Sequence, residues 1–190
     1  SPRLPFVPTV TTRPGDRFGP GSMSEASCVQ RYVPPYGCDG FAPLSEFSII
    51  DYGDMPVDYA NVAGVPALVQ ANIAGIIGAG AGTVTLGGDH FITLPILRAY
   101  AAKYGPLSVI QFDAHSDLWA DDDMDQIDHG TFMYKAVKAG LVDVTRSVQI
   151  GIRTECDDYL GMPYIDARTC HEKGSAHVTD RVREIVGAHP

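Results

Sequence analysis

The chain has 190 residues and a net charge of −9, with 45% hydrophobic and 19% charged residues. This composition is typical of a folded protein with a sizeable core and argues against extended disorder. The acidic excess argues against nucleic acid or an anionic membrane as the main partner, because both require a basic surface.

The four cysteines form no CxxC pair, so a zinc knuckle is not predicted. No apolar run is long enough to span a bilayer, and we expect a cytoplasmic protein with reduced thiols. A bridge between Cys28 and Cys38 across one loop is the alternative.

The predicted strands are apolar and alternate with helices from residue 45 onward. Residues 1–44 are rich in Pro, Gly, Ser and Thr and are predicted to be mostly loop. Apolar runs predict strands at 48–54, 83–90, 107–113 and 147–153.

Four helices are predicted between or after these strands. Two of them cover 64–80 and 130–140, the latter with Met133, Ala136 and Val137 facing inward. A third carries Leu94, Leu97, Ala101 and Tyr104 at helical spacing, and the last carries Val178, Val182, Ile185 and Val186 on one face. This alternation predicts an α/β fold with a mainly parallel sheet covered by helices on both faces.

Two predicted strands end in residues that can bind metal. Alternate side chains of an extended chain point the same way, so Asp113, His115 and Asp117 can converge where one strand ends. His90 ends the preceding strand and joins them if the two strands are neighbours. Taken singly, each is typical of a packed, capping or solvated residue, but together they predict a metal site. Mixed carboxylate and imidazole ligands favour Mn(II) over Fe, Co, Ni or Zn.

His129 stands at the start of the predicted helix 130–140. It can carry protons at the metal edge, since histidine titrates near neutral pH. The alternative is a histidine at a helix start with no chemical role. Asp89 can either orient a ligand or cap the helix that begins near Phe91. Three further histidines are predicted to lie on the surface: His171, His177 and His189.

Three motifs follow one another in the order of a known family. GGDH at 87–90, FDAHSD at 112–117 and DHGT at 128–131 resemble successive signatures of the ureohydrolases, which include arginase and agmatinase. RPGDRFGP at 13–20 resembles the first loop of that family. The segments GGDHFITLPILRAY and SVQIGIRTE are most similar to the bacterial agmatinase branch. The resemblance covers essentially the whole chain and implies a three-layer αβα sandwich around a mainly parallel sheet.

The resemblance also implies a reaction and a ligand set. The reaction is hydrolysis of a guanidino group to urea and an amine by hydroxide held between two manganese ions. His90, Asp113 and Asp117 match ligands of one ion, and Asp113 and His115 match ligands of the other, with Asp113 bridging. His129 matches a histidine that shuttles protons. A homo-oligomer, trimeric or hexameric, is implied as well.

Comparison with the family pattern implies one ureohydrolase-like domain over 1–190 that is truncated at both ends. The family carries a later strand end, similar to SxDxDxxDP, that supplies two more aspartate ligands, and a later glutamate that holds the guanidinium. The sequence stops at VREIVGAHP, where that strand is expected to begin. A chain that ends at Pro190 is expected to bind manganese weakly and to turn over little.

The substrate prediction depends on the acidic loop, which we define as residues 118–128, LWADDDMDQID. Its aspartates repel a substrate that carries a carboxylate and attract one with a second positive charge. This favours agmatine, cleaved to putrescine and urea as in polyamine synthesis, over 4-guanidinobutyrate or arginine. Candidate substrate contacts are Trp119, Asp121, Asp122 and Asp123. The alternative is that the loop acids are simply solvated.

A different class of function is a ureohydrolase-like binding or regulatory subunit without catalysis. A DxD strand end further along the chain would favour the enzyme, and its absence would favour the binding subunit. A metal-dependent deacetylase on a related fold is disfavoured by the HSD spacing and the DHG segment.

Overall fold

The computed structural model describes residues 2–5, 15–28 and 43–187. The chain divides into two compact units, Ser1–Ile92 and Thr93–Pro190. Each unit is built on a three-stranded sheet whose strand pairs are all parallel. The mixed α/β class with parallel sheets is therefore confirmed, whereas the single domain over 1–190 stays a prediction.

The sheet of the first unit has the strand order β2-β1-β3. Its strands are β1 (Pro2–Leu4), β2 (Gly53–Asp54) and β3 (Leu86–Gly87), and its helices are α1 (Gly19–Ser27), α2 (Pro43–Glu46) and α3 (Val65–Gly78). The helix predicted at 64–80 is confirmed as α3. Its apolar residues recur every four positions and are buried at Val65, Val69, Ile73 and Ile77.

Within residues 1–44, predicted to be mostly loop, the structure contains the strand β1 and the helix α1. The central strand β1 has three residues, Pro2–Leu4, too few to show a period of two. It forms because β2 and β3 pair with it on both sides, so the signal is tertiary. The helix α1, GPGSMSEAS, lacks a regular apolar face.

The sheet of the second unit has the strand order β4-β5-β6. Its strands are β4 (Ile110–Phe112), β5 (Val148–Ile152) and β6 (Tyr164–Asp166), and its helices are α4 (Thr93–Tyr104), α5 (Phe132–Lys138) and α6 (Ala167–Val186). A residue with non-helical φ of 75°, Gly174, interrupts α6. The predicted strand 147–153 and helix 130–140 are confirmed with slightly shorter bounds.

The core of the second unit lies between β5, β6 and α6. Val148, Ile150 and Ile165 form a buried cluster. The face of α6 predicted from its spacing packs against this cluster with Val178, Val182, Ile185 and Val186. On α4, Leu94 and Leu97 are buried as predicted, but Tyr104 is 60% exposed at the end of the helix.

Among the described residues, no helix combines the length and apolarity needed to cross a bilayer. Cys28, Cys156 and Cys170 are free thiols. Cys38 lies outside the described residues, as does His189. His171 is exposed and His177 is half-buried.

Candidate metal centre

His90, Asp113 and Asp117 converge in the structure. One donor atom of each side chain lies within 4.8 Å of the donor atoms of the other two. One imidazole and two carboxylates are a donor set that suits a first-row divalent cation, including Mn(II). Asp117 is only 3% exposed, and a cation would offset the repulsion between its carboxylate and that of Asp113. The residues present therefore fit a metal ion.

His90 follows a tight turn at the end of β3. The backbone N–H of Gly88 donates to the carbonyl of Leu4 at 3.3 Å. Asp89, buried at 3% exposure, accepts a hydrogen bond from the N–H of Phe91 at 2.9 Å and so caps the short 3-10 helix His90–Ile92. The capping role considered for Asp89 is confirmed.

Asp113 is the first residue after β4. Its backbone N–H donates to the carbonyl of Ile150 at 3.0 Å, so the neighbouring strand fixes its position. Its carboxylate accepts from the backbone N–H of His115 at 3.0 Å and from Nε2 of Gln111 at 3.4 Å. These contacts orient the carboxylate before any ligand binds.

Asp117 has an unusual backbone, with φ of 52°. This left-handed conformation costs a non-glycine residue roughly 1–2 kcal/mol, although aspartate tolerates it better than most. Helix α5 holds the residue there, because the N–H groups of Met133 and Tyr134 both donate to the Asp117 carbonyl at 3.1 Å. The start of α5 thereby fixes the backbone from which this carboxylate projects.

His115 lies outside the converging group but next to it. Its side chain is 54% exposed, and Nδ1 lies 3.6 Å from Oδ1 of Asp113. The centroid of its ring is 6.3 Å from that of Trp119. The role of His115 as a ligand of a second ion stays a prediction. His129 is half-buried and lies two residues before Thr131, the N-cap of α5; its role as a proton carrier also stays a prediction.

In the acidic loop, Asp121 is held by a buried cation. Nζ of Lys135 lies 2.7 Å from Oδ2 of Asp121, and the Lys135 side chain is fully buried. The hydrogen bond from Lys135 is the main cause that holds the pKa of Asp121 below its ordinary value. Oγ1 of Thr131 donates to the same carboxylate oxygen at 3.3 Å.

Other loop acids fix the local backbone. Asp123 accepts from the N–H groups of Asp125 and Gln126, and Asp128 accepts from that of Gly130 at 2.7 Å. Asp122 is exposed, and Trp119 is 38% exposed. The substrate contacts assigned to Trp119, Asp121, Asp122 and Asp123 stay predictions.

Sequence reasoning missed three buried polar residues that support the site: Lys135, Gln111 and Gln149. All three interrupt apolar segments, FMYKAVK for Lys135 and the strands β4 and β5 for the glutamines. A polar residue on the inward face of such a segment is the signal that could have found them.

The sequence profile of the arginase family matches residues 3–190, and the chain belongs to this family. Curated relatives include agmatinases of Chromobacterium violaceum and Proteus mirabilis, which are 39% and 35% identical to it. Each alignment covers 98% of this chain. The chain spans 58% and 60% of the length of these two relatives.

Solved structures agree in fold. A crystal structure described as a hypothetical agmatinase from Burkholderia thailandensis has a TM-score of 0.93 at 44% identity, covering 98% of this chain and 59% of that chain. Proclavaminate amidino hydrolase from Streptomyces clavuligerus has a TM-score of 0.86 at 30% identity, covering 100% of this chain and 64% of that chain. Arginase from Bacillus cereus has a TM-score of 0.77 at 21% identity, covering 97% of this chain and 69% of that chain, and it shares the fold.

Proposed function

We propose that the protein hydrolyses the guanidino group of agmatine to putrescine and urea. The observation that carries this proposal is the convergence of His90, Asp113 and Asp117 in a chain of the arginase family. Relatives named agmatinase at 39% and 35% identity support the reaction class and favour this substrate. Arginine and 4-guanidinobutyrate are the alternative substrates.

We propose His90, Asp113 and Asp117 as ligands of one Mn(II), and Asp113 and His115 as ligands of a second. Divalent metal ions at such a centre act as Lewis acids and lower the pKa of bound water. The second assignment is supported by the distance of 3.6 Å between Nδ1 of His115 and Oδ1 of Asp113. Gln111 contributes by holding one carboxylate oxygen of Asp113.

The reaction adds the oxygen of water to the guanidinium carbon and breaks the bond from that carbon to the alkylated nitrogen. The leaving amine needs a proton, and the urea product must lose one. We assign this transfer to His129, because imidazole is the side chain that most often transfers protons in catalysis. Exposed acids of the loop, among them the candidate Asp122, favour the distal ammonium of agmatine over a carboxylate.

Urea release from agmatine, arginine and 4-guanidinobutyrate, measured side by side on the manganese-loaded protein, tests the proposal. We expect release from agmatine to be fastest. Equal rates on all three substrates would contradict the specificity argument. Manganese binding without urea release from any of them would favour a non-catalytic binding subunit.

Metal binding is tested separately by calorimetry and metal analysis. Asp117→Asn and Asp113→Asn are expected to weaken manganese binding, while the exposed loop residue Asp125 provides a matched control as Asp125→Asn. Unchanged affinity in both site variants would refute the ligand assignment. A homo-oligomer and a cytoplasmic location stay predictions; light scattering and cell fractionation test them.

A further inference from the structure

Lys135 carries a charge in a place where a charge is costly. Its side chain is fully buried on α5, and three neighbours on the same helix, Phe132, Met133 and Ala136, are buried as well. A buried ammonium group is stable only when it is paired and hydrogen-bonded. Lys135 meets this requirement through the acidic loop, by contacts that cross from the helix to the loop.

These contacts hold both arms of the acidic loop. Nζ of Lys135 lies 2.7 Å from the carboxylate of Asp121 on the outgoing arm. It also donates a hydrogen bond of 2.6 Å to the carbonyl of Gln126 on the returning arm. A single cation therefore sets the separation of the two arms.

Two candidate site residues lie at the ends of the loop: Trp119 near its start and His129 directly after its last residue. Trp119 follows Asp117 by two residues, and its ring lies where a Cβ on Gly130 would be only 3.1 Å from it. His129 is the residue before Gly130. Because α5 also holds the Asp117 carbonyl, one short helix fixes both the metal-ligand backbone and the acidic loop.

We propose that Lys135 is a positioning residue that fixes the acidic loop through Asp121 and Gln126, and thereby places Trp119 and His129. Asp121 then has a structural role and is not a substrate contact, which leaves the other loop acids to meet a cationic substrate. The consequence for catalysis rests on the function proposed above, whereas the consequence for loop conformation does not.

Trp119 is the only tryptophan of the 190-residue chain, so its fluorescence reports directly on the loop. In Lys135→Met we expect a red shift of its emission and stronger quenching by acrylamide. Trp119 is 38% exposed, so full release from the fold would raise its accessible surface about two- to threefold. The far-UV circular dichroism and the thermal transition of each variant are compared with those of the wild type. This comparison separates a local change around Trp119 from unfolding.

Two matched controls are Lys173→Met, an exposed lysine on α6, and Asp125→Asn, an exposed acid of the same loop. Both are expected to leave Trp119 emission and quenching unchanged. If Lys135→Met unfolds the protein, Asp121→Leu/Lys135→Met removes the pair without leaving a buried charge, and the same change in Trp119 is expected.

The proposal is overturned if Trp119 behaves as in the wild type in a folded variant that lacks the pair, or if Lys173→Met changes the Trp119 emission and quenching equally. Neither measurement uses substrate, so a wild-type protein that releases no urea from agmatine refutes the proposed function and leaves this inference standing. Where the wild type is active, Lys135→Met is expected to lower kcat while manganese content is retained. A kcat equal to that of the wild type would refute the placement of His129.

Discussion

Gln149 and Gln111 form a direct side-chain hydrogen bond next to Asp113 of the candidate metal centre. They are register partners on the neighbouring parallel strands β5 and β4, and Nε2 of Gln149 donates to Oε1 of Gln111 at 2.8 Å. Gln149 also donates to the carbonyl of Ser116 at 2.6 Å. Gln111 in turn contacts Asp113 and the carbonyl of His115, both at 3.4 Å. The buried pair thus connects the sheet to the segment that carries the candidate ligands.

Gln149→Leu is expected to lower the free energy of unfolding by about 1–3 kcal/mol, because two buried acceptors lose their donor. The measurement is urea unfolding at neutral pH. Gln126→Leu is the matched control, since its side chain is exposed, and it should change stability by less than about 0.5 kcal/mol. A similarly small loss in both variants would show that the pair adds no stability.

Asp121→Asn is expected to destabilise the protein more than Lys135→Met. Lys135 is fully buried on a helix and has no route to water, whereas the Asp121 side chain is 13% exposed on a loop. Leaving the lysine unpaired costs roughly 3–5 kcal/mol. In a double-mutant cycle, Asp121→Asn/Lys135→Met should be more stable than Asp121→Asn, because it leaves no unpaired lysine. A greater loss for Lys135→Met than for Asp121→Asn would contradict this asymmetry.

Acid stability should depend on the same pair. Because Lys135 holds the pKa of the Asp121 carboxyl below its ordinary value of 3.8, the pair stabilises the fold above that value. This contribution is lost as the pH falls through the lowered pKa of Asp121. The urea midpoint of the wild type should therefore fall more steeply below about pH 4 than that of Lys135→Met.

Asp51 and Asp166 also have lowered pKa values, each caused mainly by a backbone hydrogen bond, from Gly53 and Thr169 respectively. Lys135→Met leaves both hydrogen bonds in place. The difference between the two acid profiles therefore isolates Asp121, and parallel profiles would argue against its pairing.

Two glycine substitutions should have opposite effects. Gly151 has φ of 91° at an irregularity in the β5–β6 pairing, and a Cβ there would lie 3.2 Å from the carbonyl oxygen of Asp113. Gly151→Ala should cost about 1–2 kcal/mol. Gly75 is helical with nothing near its Cβ position, so Gly75→Ala should add roughly 0.5–1 kcal/mol. Equal thermal shifts in the two variants would refute the strain at Gly151.

If His129 carries the proton, His129→Asn should lower kcat by roughly 10²-fold or more while manganese content stays at the wild-type level. Turnover and metal analysis on one sample measure both quantities. His171→Asn, an exposed histidine on α6, is the control. Full activity of His129→Asn would exclude the proton-transfer role.

Local patterns determined much of the fold and the identity of the candidate ligands. The four-residue spacing of α3 and the apolar face of α6 require only that one side of a helix meets a core, so their sequences encode them. The alternation of Asp113, His115 and Asp117 after an apolar run likewise pointed to candidate ligands at a strand end. Asp113 and Asp117 join the converging group, whereas His115 lies outside it. Helical spacing alone did not decide burial, since Tyr104 shares the spacing of Leu94 and Leu97 but is 60% exposed. A period does not say where the neighbouring layer ends.

Only the tertiary structure decided which polar residues are buried and what they bind. The partners of Lys135 lie 14 and 9 residues before it, and Gln149 meets Gln111 across 38 residues. Such pairs leave no periodic trace, because a buried charge or amide is satisfied by whichever group the fold brings within hydrogen-bonding distance. The positive φ of Asp117 and the three-residue strand β1 have the same origin, since contacts with α5, β2 and β3 hold them in conformations that their own sequence does not favour.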